Sequence, residues 1–222
     1  REKYGPDIYT SFLIDFMRVH KDKPLLLYYP MCLTHGPLVT TPDEPNASGD
    51  ESKFKAMVRY MDKMVGRLMN ALEEEGLRDE TIIIYTTDNG TMRSQTGIRN
   101  GHEVRGAKAQ RREAGTSMPF IVSGPGLAPQ GKVTYALTDF TDILPTFAEL
   151  AGTKPNQQWQ VDGHSIAPLL LAKTNDSPRG WICSQGGHPA SFQNNRVVPA
   201  DLFDDRVIRN KRWKLWVNTR RE

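Results

Sequence analysis

The chain has 222 residues, of which 38% are hydrophobic and 25% charged, and its 29 basic and 26 acidic residues give a formal net charge of +3. The length fits one large domain or a core with a small appendage, and the composition is typical of a globular protein. So small a charge argues against nucleic acid as a partner, and no apolar run is long enough to span a membrane. Two cysteines, Cys32 and Cys183, are too few for a disulfide scaffold.

The first third of the chain predicts two helices separated by a strand and a loop. Apolar residues at helical spacing predict a helix over residues 7–20, and the apolar run that follows at 24–29 is interpreted as a buried strand. Residues 31–50 are rich in proline and predict a long loop. The clearest helix is predicted over 51–75, where an apolar stripe follows the helical period and Gly76 provides a stop.

The β-branched residues before Tyr85 predict a second buried strand over 82–85. The remaining predicted elements are a long polar loop at 88–117, a short strand at 118–123, helices at 139–150 and 165–171, and a hairpin formed by 206–209 and 213–217. Alternating helices and strands predict an α/β fold with a mostly parallel sheet flanked by helices. We predict a partial α/β core over 1–175 and a small C-terminal antiparallel subdomain over 176–222.

Residues that can carry chemistry lie in the loops beside the predicted strands. Asp88 and Asn89 directly follow a strand, and carboxylate and amide oxygens suit a hard divalent cation such as calcium or magnesium. His35 and Lys108 lie in two other loops that we expect at the same sheet edge. This set suits departure of an oxyanion: the cations neutralise oxygen charge, and His35 protonates the departing alcohol oxygen or binds the anion.

Each of these residues also has a purely structural interpretation. Asp88-Asn89-Gly90 is a common turn sequence, and a loop histidine such as His35 often bonds only to backbone. Lys108 lies among arginines of the kind that cover a solvated surface. Glu113 can pair with one of those arginines, and His102 can be structural or can face a substrate.

A series of short segments along nearly the whole chain has the order and spacing of a known family. The segments are Lys23-Pro24-Leu25-Leu26-Leu27-Tyr28, Thr34-His35-Gly36-Pro37, Thr87-Asp88-Asn89-Gly90, Arg105-Gly106-Ala107-Lys108, Glu113-Ala114-Gly115, Pro119-Phe120-Ile121-Val122, Asp142-Ile143-Leu144-Pro145-Thr146, Leu150-Ala151-Gly152, Asp162-Gly163 and Arg212-Trp213-Lys214-Leu215. Together they resemble the later part of a type I, formylglycine-dependent sulfatase of the alkaline-phosphatase-like superfamily.

The resemblance implies an alkaline-phosphatase-like fold and hydrolysis of a sulfate ester, with a sulfated small molecule or carbohydrate as substrate. The site residues that it implies are Asp88 and Asn89 as ligands of calcium rather than magnesium, and His35 and Lys108 as catalytic residues. The implied roles of His102, Arg105 and Glu113 are secondary, with His102 and Arg105 in substrate binding. It also implies an exported, periplasmic or lysosomal location.

The family's nucleophile motif does not occur in these 222 residues. Sulfatases of this type carry Cys-x-Pro-x-Arg or Ser-x-Pro-x-Arg, whose first residue matures to the formylglycine that attacks sulfur. Here Cys32 is followed by Leu33-Thr34-His35 and Cys183 by Ser184-Gln185-Gly186. We therefore expect part of a catalytic domain, without turnover by itself and with formylglycine supplied by the parent protein. An apolar surface left uncovered in such a piece would favour self-association.

Two other functions fit the same residues. One is a phosphonate or phosphodiester hydrolase of the same superfamily, since sulfate and phosphate esters share a shape and differ in charge. The other is a non-catalytic module that holds a sulfated glycan with its basic loop at 105–112. A purely structural role without a ligand is a third interpretation.

Overall fold

The computed structural model describes residues 4–127, 131–186, 191–198 and 205–218. The chain divides into two compact units, residues 1–82 and 83–222. The helices are α1 (Gly5–His20), α2 (Asp50–Glu74), α3 (Glu113–Thr116), α4 (Ile143–Leu150) and α5 (Ala167–Leu170), with 3₁₀ turns at Arg78–Glu80 and Phe140–Asp142. The strands are β1 (Ile83–Thr86), β2 (Thr96–Arg99), β3 (His102–Arg105), β4 (Phe120–Ser123), β5 (Ile182–Gln185), β6 (Ser191–Gln193), β7 (Arg196–Val198), β8 (Asp205–Arg209) and β9 (Lys214–Asn218).

The first unit is built on α1 and α2, and both predicted helices are confirmed. The buried apolar side chains of the two helices are Ile14, Met17, Ala56, Met57, Tyr60, Met64, Ala71 and Leu72. A polar clamp joins the helices at one end: the Tyr60 hydroxyl donates to Asp7 Oδ2 at 2.7 Å, and Arg67 Nη1 donates to Asp7 Oδ1 at 2.9 Å. Because one carboxylate accepts both donors, the pairing of the two helices is fixed in register.

The end of α2 confirms the stop predicted at Gly76. This glycine has a φ of 70°, which is costly for other residues, and its N–H donates to the Glu73 carbonyl at 3.1 Å. The Leu77 N–H reaches back to the Leu72 carbonyl at 2.8 Å. These two bonds form a complete Schellman motif, so the Leu72 and Glu73 carbonyls near the helix end are satisfied.

The buried strand predicted over 24–29 is wrong. These residues form no ladder with another strand in the described part of the chain, and Leu26 and Tyr28 are 75% and 83% exposed. An apolar run indicates only that a segment suits a covered environment. It becomes a strand when a neighbour supplies hydrogen-bond partners, and no described segment does so here.

The two central strands of the second unit pair antiparallel rather than parallel. Ile83 of β1 lies opposite Ser123 of β4, and Thr86 lies opposite Phe120. The mostly parallel sheet is therefore not confirmed, since all pairs of named strands among the described residues are antiparallel. A parallel pair needs a long crossover, usually a helix. The connection at 87–119 holds only a hairpin and the four-residue α3.

That connection was predicted as a loop, but it contains the hairpin β2–β3. The strands pair with Thr96 opposite Arg105 and Arg99 opposite His102. Asn100 and Gly101 form the turn with φ values of 52° and 78°. Positive φ at both central residues is typical of a type I′ hairpin turn, which Asn-Gly favours strongly.

The later elements agree with the sequence. The helix predicted over 139–150 is a 3₁₀ turn continuing into α4, the helix over 165–171 is α5, and the C-terminal hairpin is β8–β9. The hairpin belongs to a three-stranded antiparallel sheet in the order β5-β8-β9. The division at residue 175 stays a prediction. Within the described ranges, no helix has the length and apolar character needed to cross a membrane.

Candidate functional site

The antiparallel pairing in the second unit places two chemistry-bearing segments at one sheet edge. The segment after β1 and the segment before β4 meet there, and backbone hydrogen bonds join them directly. The Gly90 N–H donates to the Gly115 carbonyl at 3.1 Å, and the Lys108 N–H donates to the Thr91 carbonyl at 2.9 Å. Lys108 is thus fixed against the residue that follows Gly90, in the loop that begins with Asp88.

Three glycines allow the close backbone packing at this edge: Gly90 and Gly106 where the two segments meet, and Gly115 within the loop that carries Lys108. A Cβ atom would lie 2.0 Å from a backbone oxygen at Gly90, 2.1 Å at Gly106 and 2.2 Å at Gly115. No side chain fits at such distances, and backbone cannot move aside as a flexible side chain can. We call these three residues the glycine cluster. It determines where Asp88, Asn89 and Lys108 leave the backbone.

The three candidate side chains at this edge are not engaged by other described residues. Asp88 is exposed, whereas Asn89 and Lys108 are half-buried. Within the residues that the structure describes, none of these side chains forms a hydrogen bond or an ion pair. The absence of an ion pair at Lys108 among these residues is compatible both with a ligand-binding role and with a solvated surface, so its role stays a prediction.

Asp88 and Asn89 carry the type of oxygen ligand that a hard cation prefers, but they supply too few of them for a full coordination shell. A carboxylate and an amide oxygen are calcium-type ligands, but calcium takes six to eight oxygens. Among the described residues, no group of three or more His, Cys, Asp or Glu side chains is placed to hold a metal ion. Asp88 and Asn89 can supply two side-chain ligands of such a shell.

His102 and Arg105 occupy the ends of β3 and do not form one contact surface. Both are exposed, but strand alternation directs them to opposite faces of the hairpin. Arg105 is also committed to its own loop, since its Nε donates to the Arg93 carbonyl at 2.8 Å. The substrate-binding roles of His102 and of Arg105 stay predictions.

His35 belongs to the first unit, in a loop anchored on α2. Leu33 is buried there against Met57, Tyr60 and Met64. The exposed imidazole lies 2.8 Å from the Gly36 carbonyl through Nδ1, and because a carbonyl only accepts, Nδ1 carries the proton. This leaves Nε2 as the nitrogen facing a ligand, as a proton acceptor when neutral and a donor when charged. That His35 shares a site with Lys108 stays a prediction.

Glu113 pairs with the C-terminal sheet and not with the neighbouring arginines. Its carboxylate accepts from Arg209 Nη1 at 2.8 Å and from Lys214 Nζ at 2.9 Å. Partial burial raises the pKa of the Glu113 carboxyl, but the hydrogen bond from Lys214 and the charges of Lys214 and Arg209 outweigh it, so the net pKa lies below the usual 4.5. Lys214 also donates to the Arg111 carbonyl at 2.6 Å. The loop that carries Lys108 is thus braced by β8 and β9.

A buried ionic cluster beside α4 includes a residue that the sequence did not indicate, Arg179. Asp142 is fully buried and accepts from the backbone N–H groups of Asp139 at 2.9 Å and His164 at 2.8 Å. Arg179 pairs with this carboxylate, and the hydrogen bond from Arg179 to Asp142 raises the pKa of the guanidinium. The cluster ties three distant segments together, and each Asp142 oxygen accepts from both a backbone N–H and Arg179, so we assign the cluster a structural role.

A family model described as Sulfatase matches residues 2–153. Human arylsulfatase A is 37% identical over 185 residues, which are 82% of this chain and 36% of that protein. Human arylsulfatase D is 32% identical over 188 residues, which are 81% of this chain and 32% of that protein. The chain therefore spans about a third of the length of these curated relatives.

Solved structures resemble the fold over most of the chain. The crystal structure of Ps i-CgsB matches with a TM-score of 0.78 and 27% identity, covering 97% of this chain and 46% of that one. A second structure was solved in complex with its substrate D-glucosamine-2-N,6-O-disulfate. It matches with a TM-score of 0.57 and 25% identity, covering 74% of this chain and 31% of that one.

Proposed function

Because the chain belongs to the sulfatase family and has its alkaline-phosphatase-like α/β fold, we propose that it forms part of the catalytic domain of a sulfuric ester hydrolase. The observation that carries the proposal is the backbone joining of the Asp88-Asn89 turn to the Lys108 loop. It brings metal-type oxygens and an unpaired ammonium to one edge of a sheet. A divalent cation and a lysine at one place suit an anionic ester group.

Each proposed residue has one task. Asp88 and Asn89 hold calcium, which when bound supplies positive charge beside the ester oxygens. The Lys108 ammonium neutralises a non-bridging oxygen of the sulfate group. His35 contributes through Nε2, which protonates the departing alcohol oxygen or binds the anion.

The nucleophile is not among these residues. The 222 residues contain no Cys-x-Pro-x-Arg or Ser-x-Pro-x-Arg sequence, so a formylglycine nucleophile is not available within them. We expect no hydrolysis of 4-nitrophenyl sulfate by this chain alone. Robust turnover by the purified chain would refute this part of the proposal.

Calcium titration tests the metal ligands without requiring turnover. We expect calorimetry to record weak calcium binding, since two side chains supply only part of the coordination shell. The Asp88→Asn variant should lose this binding, while Asp62→Asn, which changes an exposed carboxylate on α2, should keep it. Equal calcium binding by all three proteins, or no binding by any, would contradict the metal role of Asp88.

A graft tests the catalytic residues. The matched 185 residues of human arylsulfatase A would be replaced by those of this chain, and hydrolysis of 4-nitrophenyl sulfate measured. We expect the graft to turn over and its Lys108→Ala variant to lose about 100-fold or more in kcat. Lys173→Ala, in an exposed segment, is the matched control. Cleavage of a phosphonate ester in preference to the sulfate ester would favour the phosphonate hydrolase instead.

The proposed substrate class is a sulfated small molecule or carbohydrate. The sulfated glucosamine bound by a structural neighbour supports a carbohydrate.

Self-association is a further part of the proposal. In the first unit, Phe12, Val19, Leu26 and Tyr28 are each at least 66% exposed, and exposed apolar side chains in such number favour association. Light scattering at increasing protein concentration measures it. A constant monomer mass would count against association.

A further inference from the structure

A shallow groove in the second unit combines an aromatic surface with positive charge. Its volume is about 460 Å³, and it lies between the segment after α5 and the β8–β9 turn. The lining residues are Asp176, Arg179, Gly180, Asn210, Lys211, Arg212 and Trp213. None of them belongs to the loops proposed above for the reaction.

The turn that forms one wall of this groove is held rigid by a single side chain. Asn210 Oδ1 accepts from the backbone N–H of Arg212 at 2.8 Å and from that of Trp213 at 2.6 Å. The Asn210 N–H donates to the Trp213 carbonyl at 2.9 Å. Three hydrogen bonds within four residues fix the backbone from which the Arg212 and Trp213 side chains project. A ligand therefore need not order this backbone when it binds.

Trp213 presents an open aromatic face. It is 67% exposed, although a tryptophan of this size is usually well buried. The Arg212 guanidinium lies 5.1 Å from the centre of the indole, a cation–π distance. A flat apolar ring beside a planar cation matches a ligand with one apolar face and one anionic group.

Among the cationic side chains that line the groove, Arg212 is the one without an ion-pair partner in the described part of the chain. Lys211 is paired with Asp176, and Arg179 is paired with buried Asp142. Within the described residues, Arg212 has no acidic partner. Its guanidinium keeps donors free for the bidentate contact that oxyanions such as sulfate accept.

We propose that this groove binds a sulfated saccharide. The apolar C–H face of a sugar ring packs on the indole of Trp213, and a sulfate group of the same saccharide accepts hydrogen bonds from Arg212. The groove is a binding site separate from the Lys108 loop. The choice of a saccharide rests on the substrate class in the proposed function, whereas the choice of an anion rests on the unpaired Arg212.

Calorimetry on the whole chain with a chondroitin-6-sulfate tetrasaccharide tests the site. We expect Trp213→Ala and Arg212→Gln each to weaken binding about tenfold, and unsulfated chondroitin tetrasaccharide to bind about tenfold more weakly than the sulfated probe. Trp159→Ala removes another exposed tryptophan and should leave the affinity unchanged. Circular dichroism confirms that each variant is folded, and Trp213→Phe, which keeps an aromatic face, should retain part of the affinity.

The outcomes separate this site from the proposed reaction site. Parent-like affinity in both Trp213→Ala and Arg212→Gln, or no binding by the parent chain, overturns the groove. Loss of binding in Lys108→Ala with full affinity in Trp213→Ala also overturns it, while leaving the proposed function in place. Complete competition by an equal concentration of inorganic sulfate overturns the saccharide and leaves only an anion site.

Discussion

Asp142 and Arg179 form a buried ion pair with two contacts of 2.7 Å, from Arg179 Nη2 to Asp142 Oδ1 and from Nε to Oδ2. The Asp142 side chain is fully buried and that of Arg179 is 10% exposed. Two charges out of water are tolerated only as a satisfied pair, and backbone N–H groups complete this one. Removing one of the two charges therefore leaves the other buried without a counter-charge.

We expect Asp142→Asn to destabilise the chain by about 3–5 kcal/mol, because it leaves the Arg179 guanidinium buried without a counter-charge. Urea unfolding followed by circular dichroism measures the change. Glu149→Gln on α4, which alters an exposed carboxylate, should stay within about 0.5 kcal/mol of the parent. A loss of less than about 1 kcal/mol in Asp142→Asn would mean that the pair contributes little.

The glycine cluster gives a second prediction. Gly115→Ala places a Cβ 2.2 Å from the backbone oxygen of Gln110 and 2.3 Å from that of Ala107, so the loop that carries Lys108 must open, at a cost of about 1–3 kcal/mol. Gly97→Ala in β2, where a Cβ meets nothing within 4 Å, is the matched control. Unfolding free energies measure the cost, and amide exchange at Lys108 reports whether its bond to Thr91 is lost. Equal stabilities of the two variants would show that the backbone around Gly115 can move aside at little cost in free energy.

Two glycines at α2 should respond in opposite directions to the same change. Gly66 lies inside the helix, and the space that an added Cβ would occupy there is open, so Gly66→Ala should stabilise by about 0.5–1 kcal/mol. Gly76 has a φ of 70° at the helix end, and Gly76→Ala should destabilise by about 1 kcal/mol. Thermal unfolding of both variants measures the difference. The same sign for both would contradict the assignment of the helix end.

Glu113 predicts a pH dependence of the brace between the Lys108 loop and the C-terminal sheet. Its pKa is lowered in the folded chain, so its stabilisation is fully present above the ordinary pKa of 4.5 and is lost as the pH falls through the lower folded value. Urea midpoints at about pH 6 and about pH 3.5 should therefore differ less in Glu113→Gln than in the parent.

Other carboxylates, including Glu44, Glu75 and Asp176, also have lowered pKa values in the folded chain, so their stabilisation too is lost as the pH falls. The difference between the parent and Glu113→Gln isolates the brace. Glu103→Gln, which changes an exposed residue of β3, should retain the parental dependence on pH. An identical dependence in Glu113→Gln would exclude the brace as its source.

The sequence correctly predicted helices and turns that are determined by residues close together in the chain. The apolar stripe and Gly76 define α2, since both the buried face and the stop depend on neighbouring residues. The β2–β3 hairpin was within reach for the same reason. Asn100-Gly101 is a strong turn signal, but the flanking residues are mostly polar and exposed, so the alternation that usually indicates strands is weak.

Features that depend on distant partners were beyond local reasoning. The apolar run at 24–29 is as strand-like as the one that forms β1, and only the presence of a pairing partner separates them. The roles predicted for Asp88 and Lys108 rest on their residue types and their order along the chain, and they stay predictions. The partners of Glu113 lie 96 and 101 residues away, and no spacing rule indicates them.

The close backbone packing around Gly90, Gly106 and Gly115 affects how tolerance to substitution is interpreted in this chain. In a saturation scan, every substitution at these three glycines should be as damaging as a substitution of a catalytic residue. The glycines nevertheless have no side chain with which to contact a ligand. Loss of function on substitution at this sheet edge would therefore report steric exclusion as often as it reports a catalytic or binding role. Only variants that keep the volume and alter the charge, such as Asp88→Asn, can distinguish the two.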